Sequence, residues 1–141
     1  VTLGVQNHYG DYVCNAMGLR HLLEPFDSPN IGARDLTVSP STAAAAKAAT
    51  SGDTGFDVAE LYAPFTHQEM ILREAIGVAD TTTVNPSGGP LTANPMFAAG
   101  LERIGFAARH IMSGDAGRVL AHATSGPVLQ QNLVAVLEAQ P

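Results

Sequence analysis

Residues 81–112, "TTTVNPSGGPLTANPMFAAGLERIGFAARHIM", place a β-branched run, a turn-rich loop and a long apolar-periodic segment in direct succession. "TTTVN" (81–85) has the branched side chains that fit a pleated strand. The loop after it holds two Asn-Pro steps, a Gly-Gly pair and no charge. Asn and Gly tolerate positive φ, while Pro fixes its own φ and restricts its neighbour, so regular structure stops here. A turn alone rarely needs so long an uncharged stretch, which marks the loop as a ligand-contacting segment. Residues 95–112 then predict a long helix, with Phe97, Leu101, Ile104, Ala108 and Ile111 on one stripe and Ser113-Gly114 as its stop. Met96 and Met112 read as core filler on that helix.

The same alternation continues on both sides. "STAAAAKAAT" predicts a helix capped by Ser39 or Ser41, and "FDVAELY" (56–62) a strand. "PFTHQEMILREAIGV" predicts a helix with Phe65, Ile71, Leu72, Ala75 and Ile76 at helical spacing and Gly77 as its stop. "GRVLAHAT" (117–124) and "NLVAVLEA" (132–139) predict two strands close enough to pair antiparallel. Strands alternating with helices predict an α/β fold, a mixed sheet covered by helices. Residues 1–40 read poorly, apart from a short helix before Pro25, and are set apart from a domain over 41–141. The chain opens on Val1 inside an apolar-polar pattern, which is read as the start of a fragment.

The 141 residues suffice for one domain with a core, and 45% hydrophobic with 14% charged residues is a globular composition. A net charge of −6 with seven scattered Lys and Arg argues against nucleic acid or an anionic membrane as partner. The single cysteine, Cys14, excludes an internal disulfide framework and fits a cytoplasmic location. No apolar run reaches the roughly 20 residues that span a bilayer.

In an α/β sheet the strand-to-helix loops gather at one edge and form the usual ligand crevice. Three loops qualify: "YAPFT", "NPSGGPLTANP" and "HATSGP". His67 and His110 lie on helices among polar neighbours and read as solvated, and His8 and His21 have no partner in sequence. His122 sits at a strand end before a glycine loop, either functional or an ordinary loop histidine. His, Cys and carboxylates nowhere cluster at metal-ligand spacing.

"VNPSGGPLTANPMFAAGLERI", "DVAELYAPFTHQEMILREAIGV" and "LAHATSGP…NLVAVLE" resemble, in that order, segments of the thiolase superfamily over roughly residues 40–140. The likeness is to the C-terminal part of thiolases of the sterol-carrier-protein type, acetyl-CoA acetyltransferases and thiolase-like lipid-transfer proteins. It implies half of a two-domain acyltransferase of lipid metabolism that takes acyl-CoA thioesters, with coenzyme A entering as part of the substrate rather than as a cofactor. It also implies partners: the missing N-terminal half and a homodimer mate or partner subunit. The departures matter. The loop that carries Gly-His-Pro in the family reads Ala93-Asn94-Pro95 here, and the His-Asp-Cys-Phe segment reads Tyr62-Ala63-Pro64-Phe65. The last hairpin lacks the family's cysteine, and His122 stands at the histidine of a Gln-His-Asn variant. By this resemblance Tyr62, Asn94 and His122 are the catalytic candidates. Phe65, Ser87, Gly88, Gly89, Pro95, Thr124, Ser125 and Gly126 are the substrate-binding ones. Claisen chemistry needs a thiolate, a base and donors for an enolate oxygen. An amide at 94 can donate but cannot take a proton, so ordinary thiolysis is not expected. Thiolase-like aldolases, which use tyrosines as acid-base groups, give Tyr62 a role, and a binding or scaffold subunit without catalysis is the remaining class. Cys14 reads as a buried structural thiol.

Overall fold

The structure, a computed structural model, describes residues 3–5, 31–33, 39–125 and 131–140. The chain divides into two units, Val1–Thr37 and Val38–Pro141. In the first, β1 (Leu3–Val5) and β2 (Ile31–Ala33) pair in parallel, Leu3 opposite Ile31. The helix expected before Pro25, with His8, Cys14 and His21, lies outside the described residues, as does Gly126.

The second unit runs α1 (Pro40–Thr50), β3 (Val58–Leu61), α2 (Thr66–Ile76), β4 (Thr83–Val84), a single turn α3 (Gly89–Thr92), α4 (Ala99–Ser113), β5 (Arg118–Ser125) and β6 (Gln131–Glu138). The sheet order is β4-β3-β5-β6. β3 is parallel to both β4 and β5, and β5 pairs antiparallel with β6 from Arg118↔Glu138 to Ser125↔Gln131. All four β3 residues are buried, as a parallel strand covered on both faces must be.

The two crossovers run in opposite directions along the sheet: β3 to β4 one way, β4 past β3 to β5 the other. With one preferred handedness of crossover, their helices fall on opposite faces. Accordingly Ala46 of α1 with Leu72 and Ile76 of α2 packs on Phe56, Ala59, Leu61 and Leu120. On the other face Ala107 of α4 packs on Val58, Val119 and Ala121. Leu120 has no exposed surface, and truncating such a side chain to Ala typically costs about 2–5 kcal/mol.

Three sequence expectations are corrected. Ser39 is the N-cap residue of α1, but its hydroxyl bonds Thr42 Oγ1 at 2.7 Å instead of a backbone N–H. The buried line of α2 is Gln68, Leu72 and Ile76, and Phe65 stands 58% exposed at its N-cap. The long helix begins at Ala99, not at 95, because Pro95–Ala98 form a turn closed by Ala98 N–H donating to Pro95 O at 2.6 Å. Its buried line is Ala99, Arg103 and Ala107, with Ile104 and Ile111 flanking, while Phe97, Leu101, Met96 and Met112 are exposed. The reason is close approach. A Cβ on Gly100 would stand 2.7 Å from Cβ of Ala123, so α4 meets β5 through its small residues and leaves the large apolar ones off the contact line.

Candidate functional site

Because β3, β4 and β5 are parallel, their C-terminal ends share one edge with the loops beginning at Tyr62 and Asn85. The first two connections leave toward opposite faces, so a crevice opens between these loops, as at other switch points of α/β sheets. Asn85 stitches it: Oδ1 accepts the Leu61 N–H at 2.7 Å, Nδ2 donates to Glu69 Oε2 at 3.1 Å, and its own N–H donates to Ala59 O at 2.9 Å. It does so at φ 49°, in the left-handed region that Asn tolerates better than other side chains.

Two residues further, Ser87 is held from the α4 side of the sheet. Its hydroxyl donates to Glu60 Oε2 at 2.6 Å and accepts from Arg103 Nη1 at 2.9 Å and from Gly89 N–H at 3.2 Å. A serine hydroxyl has one donor and two lone pairs, so none is left for a ligand. In this structure Ser87, one of the expected substrate contacts, serves as a loop anchor. Glu60 and Arg103, both buried, form an ion pair at 3.1 Å, and His110 Nε2 of α4 lies 3.5 Å from Glu60 Oε1. Arg103 Nη2 also donates to Glu102 at 2.7 Å. The reading of His110 as merely solvated missed this contact. No local signal in "VAEL" or "GLERIG" marks Glu60 and Arg103 as partners, because 43 residues separate them.

His122 faces the other side, paired in register with Leu61 and wholly buried. Its Nε2 lies 3.0 Å from Asn132 Oδ1, which also accepts from Thr42 Oγ1 at 2.9 Å, while Asn132 Nδ2 donates to Ser41 Oγ at 2.9 Å. Since Oδ1 only accepts, the network assigns the proton to Nε2 and leaves Nδ1 as a bare acceptor. Nδ1 is buried with no partner among the described residues. Burial pushes the His122 pKa down, against a smaller upward effect of the Asn132 bond, so the ring is held neutral.

The remaining candidates are dispersed. Tyr62 is half-buried, joined to His122 only through its backbone N–H to the His122 carbonyl at 3.1 Å. Phe65 stacks on His67, ring centroids 5.8 Å apart. Gly88 and Gly89 take φ of 87° and 57° at the start of α3. Asn94 and Pro95 are exposed, and no side-chain hydrogen bond among the described residues joins Tyr62, Asn94 and His122. An open cleft of about 390 Å³ is lined by Met96, Phe97, Gly100, Leu101, Ala123, Thr124, Ser125 and residues 131–133, and none of Tyr62, Asn94 and His122 lines it. Thr124 and Ser125 are the expected contacts found in it, the Thr124 hydroxyl donating to Gln131 O at 3.1 Å.

Among the described residues no group of three or more His, Cys, Asp or Glu is placed to hold a metal ion, and no helix is long and apolar enough to cross a membrane. Set against known proteins, the chain matches no family model, no curated protein and no solved structure.

Proposed function

We propose that this chain is the C-terminal part of a thiolase-like protein and takes an acyl-CoA thioester at the C-terminal edge of β3, β4 and β5. The observation that carries the reading is the Asn85–Asn94 loop. It is fixed at Asn85 and Ser87, turns through Gly88-Gly89, and runs to a cleft that joins apolar Met96, Phe97 and Leu101 to the hydroxyls of Thr124 and Ser125. A groove of mixed apolar and polar lining accommodates an acyl chain ending in a thioester.

The chemistry is C–C bond cleavage or formation by a route other than thiolysis. Asn94 can donate a hydrogen bond to the thioester oxygen but cannot remove a proton, and His122 is buried and bonded to Asn132. A second reading, a thiolase-like aldolase, is favoured by Tyr62, whose phenol makes no hydrogen bond among the described residues and is left available as an acid-base group. The partner in either case is the N-terminal thiolase-like half, with a homodimer mate or partner subunit. The exposed Phe97, Leu101 and Met112 support a covered surface.

Three measurements on the full-length protein test this. Titration with an acyl-CoA against free CoA is expected to show binding that depends on the acyl group. Thiolysis of acetoacetyl-CoA is expected to be weak or absent, and turnover in the ordinary range of about 1–10³ per second overturns that expectation. Retro-aldol cleavage of a β-hydroxyacyl-CoA supports the tyrosine route. Binding with neither activity leaves a non-catalytic acyl-CoA-binding subunit, and absence of binding overturns the reading as a whole.

A further inference from the structure

We infer that Glu60 and Arg103 are positioning residues: they order the Ser87–Gly89 turn at the sheet edge and contribute little to the stability of the fold. The inference gives the pair its purpose from the thioester site proposed above, but its geometry stands without that site. Glu60 has no exposed surface on a strand whose other three residues are Val58, Ala59 and Leu61. Burying two charges offsets most of their attraction, and well-packed apolar pairs often replace such ion pairs with no loss of stability. Arg103 Nε adds to the cost, being buried without a partner among the described residues.

An apolar pair at these positions could fill the space but could not hold the turn. The Glu60 carboxylate accepts both the Ser87 hydroxyl at 2.6 Å and the Ser87 N–H at 3.3 Å. Arg103 Nη1 donates to the same hydroxyl, which in turn receives the Gly89 N–H. One carboxylate on β3 thus reaches, through one hydroxyl, the second of two consecutive left-handed residues. Both are glycines, which reach positive φ without steric cost but lose the most conformational freedom on ordering, so the turn depends on such anchors to stay in one conformation. Asn85 fixes the loop before the turn, and Glu60 with Arg103 fixes it within the turn.

The test compares the wild-type full-length protein with the double variant Glu60→Met, Arg103→Met, which removes both charges and puts flexible apolar side chains in their place. The thermal midpoint is expected to stay within a few degrees, while amide exchange at Ser87, Gly88 and Gly89 speeds up by about tenfold or more. Octanoyl-CoA affinity is expected to fall in parallel. A large drop in midpoint with unchanged exchange at the turn overturns the inference, making the pair a plain element of the core. Should the double variant not fold, Ser87→Ala removes the shared hydroxyl and leaves the ion pair in place. Unchanged exchange at Gly89 in Ser87→Ala likewise overturns it. If the wild type does not bind octanoyl-CoA yet the turn loosens in the variants, the acyl-CoA reading fails and the positioning role holds.

Discussion

The Asn85 side-chain oxygen accepts the Leu61 N–H at 2.7 Å, so the residue that leaves β4 completes the hydrogen bonding of the residue that ends β3. It does so at φ 49°, in the left-handed region that few side chains other than Asn and Asp enter readily. Asn85→Ala removes the acceptor from a buried N–H and places a less tolerant residue in the left-handed region. The expected loss is about 2–4 kcal/mol, read as a fall in the thermal midpoint. Asn85→Gly restores the backbone and not the bond, and is expected to fall between the two.

Gly88 combines two constraints that can be separated. A Cβ there would lie 2.5 Å from Thr92 Oγ1, and the residue has φ 87°. Gly88→Ala is expected to destabilise the protein by about 1–3 kcal/mol. Adding Thr92→Ala takes away the two nearest atoms, Oγ1 and Cγ2, but leaves Cβ at 3.1 Å and the backbone strain intact, so thermal melts of the double variant should recover part of the loss. Full recovery would show that sterics alone demanded glycine.

The neutral state of His122 has a pH signature. Its folded pKa lies below the ordinary 6.5, so the unfolded chain takes up a proton that the folded one refuses. Stability is therefore complete above about 6.5 and declines as the pH falls through that value toward the depressed folded pKa. Thermal midpoints measured from about pH 7 down to about pH 5 should fall less steeply in His122→Gln than in the wild type. Equal slopes would show that the ring is not held neutral.

Asn94 distinguishes a ligand contact from a scaffold residue. It is exposed, and the N-cap of α4 is Ala98 with no side-chain bond, so Asn94→Asp should change stability by no more than about 0.5 kcal/mol. A carboxylate cannot donate to a thioester oxygen and repels the charge that develops on it. Acyl-CoA turnover, where present, should then drop by about 10²–10³. Calorimetry and a kinetic assay on the same preparation decide it. Unaltered binding and turnover would remove Asn94 from the site.

The sequence made the fold legible where local chemistry decides structure. β-branched runs gave β4 and part of β5, the alanine run gave α1, and the neighbouring 117–124 and 132–139 runs gave the antiparallel pair. It failed where the partner lies far along the chain. The apolar stripe expected on α4 passed through Phe97 and Leu101, yet the sheet accepts Ala99, Arg103 and Ala107. Arg103 is an inward-facing residue only because Glu60 waits on β3. His122 could be placed at a strand end, but its lock required Asn132 and Thr42, from a hairpin partner and a helix outside its own element.

The contact between Gly100 and Ala123 sets a length that the ion pair depends on. Arg103 follows Gly100 by one helical turn on the same side of α4, and its reach to Glu60 is fixed by how low the helix rides on β5. A larger side chain at either position would act as a shim under one end of α4 and tilt the guanidinium away from its carboxylate. The charge arrangement at the sheet edge is thus calibrated by two residues that carry no functional group.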